Sequence, residues 1–180
     1  MTNARIRTRD MMHIALFATA IAIASQIMFT LPMAPLVPIN MALLAVYLTG
    51  ALMEMKHSCL AVLVYLLLGA VGVPVFAGLK GGPQALLGHT GGFLIGYLLC
   101  VLAIGLLRGA WRGTFAGRCA MFALGLLLCY AFGTAWFMHK TGHSLSVSLG
   151  YCVWPFLPGD LAKIALAATL TPRLEKAMKH

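Results

Sequence analysis

The chain has 180 residues, of which 61% are hydrophobic and 9% charged, and its mean hydropathy is +0.92. A water-soluble domain carries roughly a quarter charged residues, so that class is excluded, as are disordered, collagen-like and disulfide-dense chains. Thirteen Lys and Arg against four Asp and Glu give a net charge of +9, but the cations fall between apolar runs and so read as bilayer orientation signals rather than a nucleic-acid footprint.

At about 20 residues per crossing, the apolar runs predict a single all-α transmembrane domain over 1–180. It has six transmembrane helices, at 11–30, 41–54, 57–74, 90–107, 116–138 and 145–171. The first run, MMHIALFATAIAIASQIMFT, follows Arg5, Arg7 and Arg9. It is too long for the apolar region of a signal peptide and has no A-x-A cleavage site at its end. LPMAPLVPIN then holds three prolines, which cannot continue a helix and favour a stiff extended segment. The second run turns sharply at EMKHS into the third. AGLKGGPQALLGHTGG is glycine-rich and too polar at its start to cross a membrane. The fourth run stops at the basic loop RGAWRGTFAGR, and HKTGHSLS follows the fifth. Pro155 and Pro158 interrupt the last run, which predicts a kinked or broken helix, or a loop that re-enters and continues as a half-helix. The five cysteines sit singly in or beside apolar runs and read as small hydrophobes.

With the N-terminus inside, the cytoplasmic segments hold Arg5, Arg7, Arg9, Lys56, Arg108, Arg112, Arg118, Arg173, Lys176 and Lys179, which is ten. The outer segments hold Lys80 and Lys140, which is two, and Lys163 is intramembrane. Ten against two predicts both termini in the cytoplasm (N-in/C-in) with an even number of crossings.

Asp160 and Lys163 are the polar outliers. Counted back from Pro172 at 1.5 Å per residue, they lie ~14–18 Å from the inner end of a straight helix. A lone ion at that depth costs at least ~2.5–3.5 kcal/mol. Their i,i+3 spacing lets them neutralise each other. Two readings are open: an ion pair that closes the bundle, or a polar ligand site. Pro158 and Gly159 favour the second, because a broken helix frees backbone groups beside Asp160. Gln26, Asn40, Gln84, His89, Thr90, Tyr130 and Trp136 are further polar residues toward the outer side. Small residues at Ala18-x-x-x-Ala22 and Ala20-x-x-x-Ala24 allow a close helix approach, from within the chain or from a partner subunit. His139 and His143 have metal-ligand spacing without a third ligand, so no metal is expected. The chain has no G-x-x-x-x-G-K-[ST], G-x-S-x-G or HExxH. A nucleophile–base pair is missing too, which argues against an enzyme.

PINMALLAVYLTGALM, LAVLVYLLLGAVGVPVFAG, GPQALLGHTGGFLIGY and PFLPGDLAKIALAATLTPRL, in that order, resemble the BioY family, the biotin-binding S components of energy-coupling factor (ECF) vitamin transporters. The resemblance covers roughly residues 11–175. It implies an S-component fold in the cell membrane, with biotin held near the outer face beneath the loops after spans one and three. It also implies partners: a transmembrane coupling subunit and two ABC-type ATPases. The S component is then expected to reorient in the lipid bilayer to release the vitamin inward, with the small-residue face of the first helix (Ala18, Ala20, Ala22, Ala24) against the coupling subunit. By the same resemblance Asp160 and Lys163 match the PGDLxK motif, Thr90 and Gly91 belong to the TGG element, and Tyr130 through Trp136 is the aromatic segment.

Asp160 can accept the ureido N–H bonds of biotin, and Asn40 or Gln84 can donate to its oxygen. Trp136 and Tyr130 can cover its ring. Lys163 is left either to neutralise Asp160 or to reach the vitamin carboxylate. Two departures bear on specificity: PINMA stands where many relatives read PITLQ or PFTLQ, so Ala42 replaces a ligand-facing glutamine, and His89 replaces a common proline. No arginine stands in the outer half of spans four to six. These motivate a different vitamin as the alternative ligand.

Overall fold

In the computed structural model, which describes residues 7–29 and 39–178, the apolar runs are helices, the form in which a lipid-embedded segment pairs its own backbone. The described residues form α1 (Thr8–Gln26), α2 (Ala42–Leu52), α3 (Met55–Ala70), α4 (Pro83–Leu87), α5 (Gly91–Trp111), α6 (Phe115–Thr141), α7 (Leu145–Cys152) and α8 (Leu157–Met178). One two-residue antiparallel ladder, β1 (Met28–Phe29) with β2 (Ile39–Asn40), pairs Met28 with Asn40. The proline-rich segment expected after the first span lies outside the described residues from 30 to 38.

Helices α5 and α6 are long and apolar enough to cross a bilayer by length and composition, whereas α2 and α3 are apolar but shorter. Glycine lets α5 and α6 meet at backbone distance: a Cβ on Gly92 would stand 2.2 Å from Trp136 Cβ, and one on Gly125 would stand 2.8 Å from Cys100 Sγ. Tyr47 of α2 stacks on Phe122 of α6 with ring centroids 5.1 Å apart. Both lie in a core that also takes Ile21, Tyr65, Ile104 and Ala167.

The turns α2–α3 and α5–α6 lie at one end of the bundle with the start of α1 and the finish of α8. Arg9 Nη2 reaches the Met178 carbonyl at 3.4 Å, and Arg112 meets Glu175 at 3.7 Å. The ladder, the 71–90 segment and α7 form the opposite end. The break at 153–156 separates α7 from α8.

Pro172 does not end the last helix, which runs on to Met178. A proline leaves the carbonyl four residues earlier without its N–H partner. That carbonyl belongs to Ala168, and Arg118 Nε donates to it at 2.8 Å, so the bond lost within α8 is replaced from α6. Counted from Met178, Asp160 and Lys163 lie ~27 and ~23 Å from the end of α8, in its first turns rather than midway along it. Replacing Arg118 by Ala leaves the Ala168 carbonyl unpaired, and the expected loss is about 1–3 kcal/mol. Thermal unfolding in detergent checks it, with a melting temperature unchanged from wild type as the contrary result.

Candidate functional site

A cavity of about 730 Å³ opens at the ladder end, within the ~300–1,000 Å³ range of small-molecule sites. Its base is built where α8 begins. The helix break puts Asp160 in the first turn of α8, where the N-terminal dipole favours a carboxylate. Asp160 is 4% and Lys163 7% exposed. Lys163 Nζ donates to Asp160 Oδ1 at 2.7 Å and to the Asn40 carbonyl at 2.7 Å. The Tyr130 hydroxyl donates a hydrogen bond to Asp160 Oδ2. Asn40 Oδ1 accepts from the Ala42 N–H at 3.1 Å and from the Tyr97 hydroxyl at 3.5 Å.

This network leaves capacity turned to the cavity. A carboxylate offers about four lone-pair sites, and two are used. The Asn40 amide nitrogen has no partner among the described residues, and an ammonium has three donors, of which Lys163 spends two. The cluster can therefore accept N–H bonds and donate to an oxygen on the same small group. Leu43, Phe93, Leu94, Tyr97, Cys129, Cys152 and Phe156 supply the apolar walls. At the mouth stand Leu79, Lys80, Gln84, His89 and Thr90. Lys80 is exposed and makes no salt bridge among the described residues. Two lysines against one aspartate leave the lining one positive charge in excess.

Seven of the residues singled out in the sequence thus share the cavity wall: Asn40, Gln84, His89, Thr90, Tyr130, Asp160 and Lys163. Gly91 and Trp136 do not line it. Gly91 packs where a Cβ would stand 1.7 Å from the Leu86 carbonyl oxygen. Trp136 Nε1 donates to the Gly88 carbonyl at 3.0 Å, so it holds the α4–α5 connection instead of covering a ligand. Ala42 is fully buried in the core and does not line the cavity. The small-residue rows of α1 also separate: Ala18 is core and Ala22 packs against it, while Ala20 is exposed and Ala24 half-buried. Tyr97, Cys129, Cys152 and Phe156 were not legible as wall residues, because an apolar residue in an apolar run carries no mark of which way it faces. Lys80 had a signal, being one of only two cations in the segments that the charge count predicts to lie outside.

A sequence model of the BioY family matches residues 1–180. The chain is 36% identical over 171 residues to a protein of Thermotoga maritima named biotin transporter BioY, covering 93% of this chain and 96% of that one. It is 32% identical over 170 residues to a probable biotin transporter BioY of Pyrococcus horikoshii, covering 94% and 98%. A crystal structure of the S-component for biotin from an ECF-type ABC transporter superposes with a TM-score of 0.87 at 26% identity, over 98% of this chain and 95% of that one.

The buried pair carries its own stability signature. Lys163→Met leaves the Asp160 carboxylate without its counter-ion, at an expected ~3–5 kcal/mol. Adding Asp160→Asn removes the stranded charge and recovers most of the loss. Ligand-free melting of the two variants decides it, and equal stability of the single and double variants is the contrary outcome.

Proposed function

The chain belongs to the BioY family, and on that footing we propose that it is the biotin-capturing S component of an ECF-type uptake system, with the vitamin seated in this cavity. The observation that carries the reading is the enclosed Asp160–Lys163–Asn40 cluster beneath a cationic mouth. Biotin presents two ureido N–H donors and a ureido oxygen at one end and a carboxylate at the other. Asp160 accepts from the N–H groups in charge-assisted bonds. The free Asn40 amide donates to the oxygen, and Tyr130 and Lys163 hold Asp160 in place. Phe93, Leu94, Tyr97 and Phe156 cover the thioether ring and chain. Lys80 at the mouth takes the carboxylate, the role for which the outer spans hold no arginine, and Gln84 and Thr90 border the same opening. With Lys163 committed to Asp160 and Asn40, and Lys80 free, no different vitamin is required to satisfy the lining.

In this reading α1, α2, α3, α5, α6 and α8 cross the cell membrane. The end carrying Arg7, Arg9, Lys56, Arg108, Arg112, Arg118, Arg173 and Lys176 faces the cytoplasm with both termini, and the cavity opens outward. The chain is a carrier subunit and no enzyme: a transmembrane coupling subunit and two ABC-type ATPases supply the nucleotide chemistry, and reorientation with them delivers biotin inward. The exposed row of α1, Leu16, Ala20 and Ile23 with half-buried Ala24, is the docking face for the coupling subunit, since Ala18 and Ala22 are taken up inside.

Purified protein is expected to bind labelled biotin saturably, and Asp160→Ala to abolish it. Folded wild-type protein with no saturable binding refutes the reading. Lys80→Ala is expected to weaken biotin about tenfold, as for loss of a charge-assisted bond of ~1.5 kcal/mol, while leaving biotin amide unchanged. Equal losses for both ligands place the carboxylate elsewhere.

A further inference from the structure

Between α3 and α4 the backbone closes on itself. Phe76 and Lys80 exchange two hydrogen bonds, Phe76 N–H to the Lys80 carbonyl at 2.9 Å and Lys80 N–H to the Phe76 carbonyl at 3.2 Å. The tip holds Gly78 at φ +74° and Leu79 at φ +56°. Leu79 is the one non-glycine residue with positive φ among the described residues. An L side chain resists that region because its Cβ approaches the carbonyl oxygen. A residue held there persists only where its surroundings over-determine it, and such residues cluster at ligand clamps.

The surroundings here are two adjacent side chains from another element, because Ser25 Oγ also donates to the Val75 carbonyl. Gln26, the last residue of α1, donates through Nε2 to the Val75 and Phe76 carbonyls at 3.1 Å each and accepts the Leu79 N–H through Oε1 at 3.0 Å. Only a primary amide offers donors and an acceptor together in this way. An amide at the end of an apolar helix is otherwise costly to bury, and the hairpin backbone gives it its partners. On the other side the Phe76 ring is core, set edge-on to Tyr65 at 5.4 Å. The tip so fixed contributes Leu79 and Lys80 to the mouth of the cavity.

From this geometry we propose that Gln26 is a positioning residue for ligand retention. By holding Leu79 in its left-handed conformation it keeps Leu79 and Lys80 across the cavity mouth, so that a bound molecule leaves when this clasp opens. The inference rests on the reading that biotin occupies the cavity.

The test follows labelled biotin off the full chain in detergent. Gln26→Met keeps the side-chain length and removes the three bonds to the hairpin, together with those of Nε2 to the Ala22 carbonyl and Ser25 Oγ. It is expected to raise the dissociation rate about five- to tenfold with little change in the association rate, the scale of roughly one net hydrogen bond of ~1 kcal/mol. In a Leu79→Gly background, where glycine takes positive φ without strain, the same substitution is expected to cost half as much or less. A role confined to general stability gives additive effects in that cycle, and additivity overturns the proposal, as does an unchanged dissociation rate. Gln26→Ala repeats the test if the Met variant does not fold. In the unliganded wild type, hydrogen exchange of the Leu79 amide reads the clasp directly: protection supports it, and exchange at the rate of an open loop overturns it. Wild-type protein that fails to bind biotin refutes the functional reading alone, and the exchange measurement then decides the clasp.

Discussion

A carboxylate that is 4% exposed holds its charge only if hydrogen bonds and a counter-ion replace water. Asp160 obtains them from three directions. Lys163 stands one turn on along α8, the Tyr130 hydroxyl arrives from α6, and the first turn of α8 adds the helix dipole. Lys163 then ties α8 to β2 through the Asn40 carbonyl, and Tyr97 ties α5 to the same residue. One ion pair thereby fixes the meeting point of four elements. The site exists because the pair needs all of them. A buried pair is often no more stable than well-packed apolar residues, so its retention at the wall of a cavity points to recognition rather than to stability.

The cavity is polar at its base, apolar along its walls and cationic at its mouth. A ligand with a hydrogen-bonding ring at one end and a carboxylate at the other can satisfy both ends at once, and reversing it would face its carboxylate toward Asp160. Orientation is thus set by charge, whereas the walls contribute area without direction. The mouth differs from the base in construction. The base hangs on helices packed along the core, but one side of the mouth hangs on a short hairpin held by Phe76 in the core and by Ser25 and Gln26 from α1. A rigid base with a separately fastened mouth suits a subunit that must hold its cargo during one step and yield it in another.

The opposite end of the molecule is assembled by arginines acting as donors. Arg118 supplies the bond that Pro172 removes from α8, and Arg108 donates to the Met53 carbonyl. Arg112 pairs with Glu175. The same residues that count as orientation signals in the sequence therefore also close helix ends and turns, which explains how a helix can continue through a proline.

Much of this was legible in the order of residues. Hydropathy determines that the chain is a bundle of membrane helices, because uninterrupted apolar runs of that length have no other stable solvent. The i,i+3 spacing determines that Asp160 and Lys163 meet, and Pro155 with Pro158 determine that the last run breaks. Asn40, Gln84, Thr90 and Tyr130 were legible as polar residues out of place. Tertiary structure alone decided that α8 continues past Pro172, because the replacement donor comes from a helix 50 residues away in sequence. It alone decided that Trp136 and Gly91 brace the α4–α5 connection and that Ala18 turns inward, since which face of an apolar helix meets a cavity depends on neighbours it does not encode. The link between Gln26 and Leu79 spans 53 residues, and no local pattern could announce it.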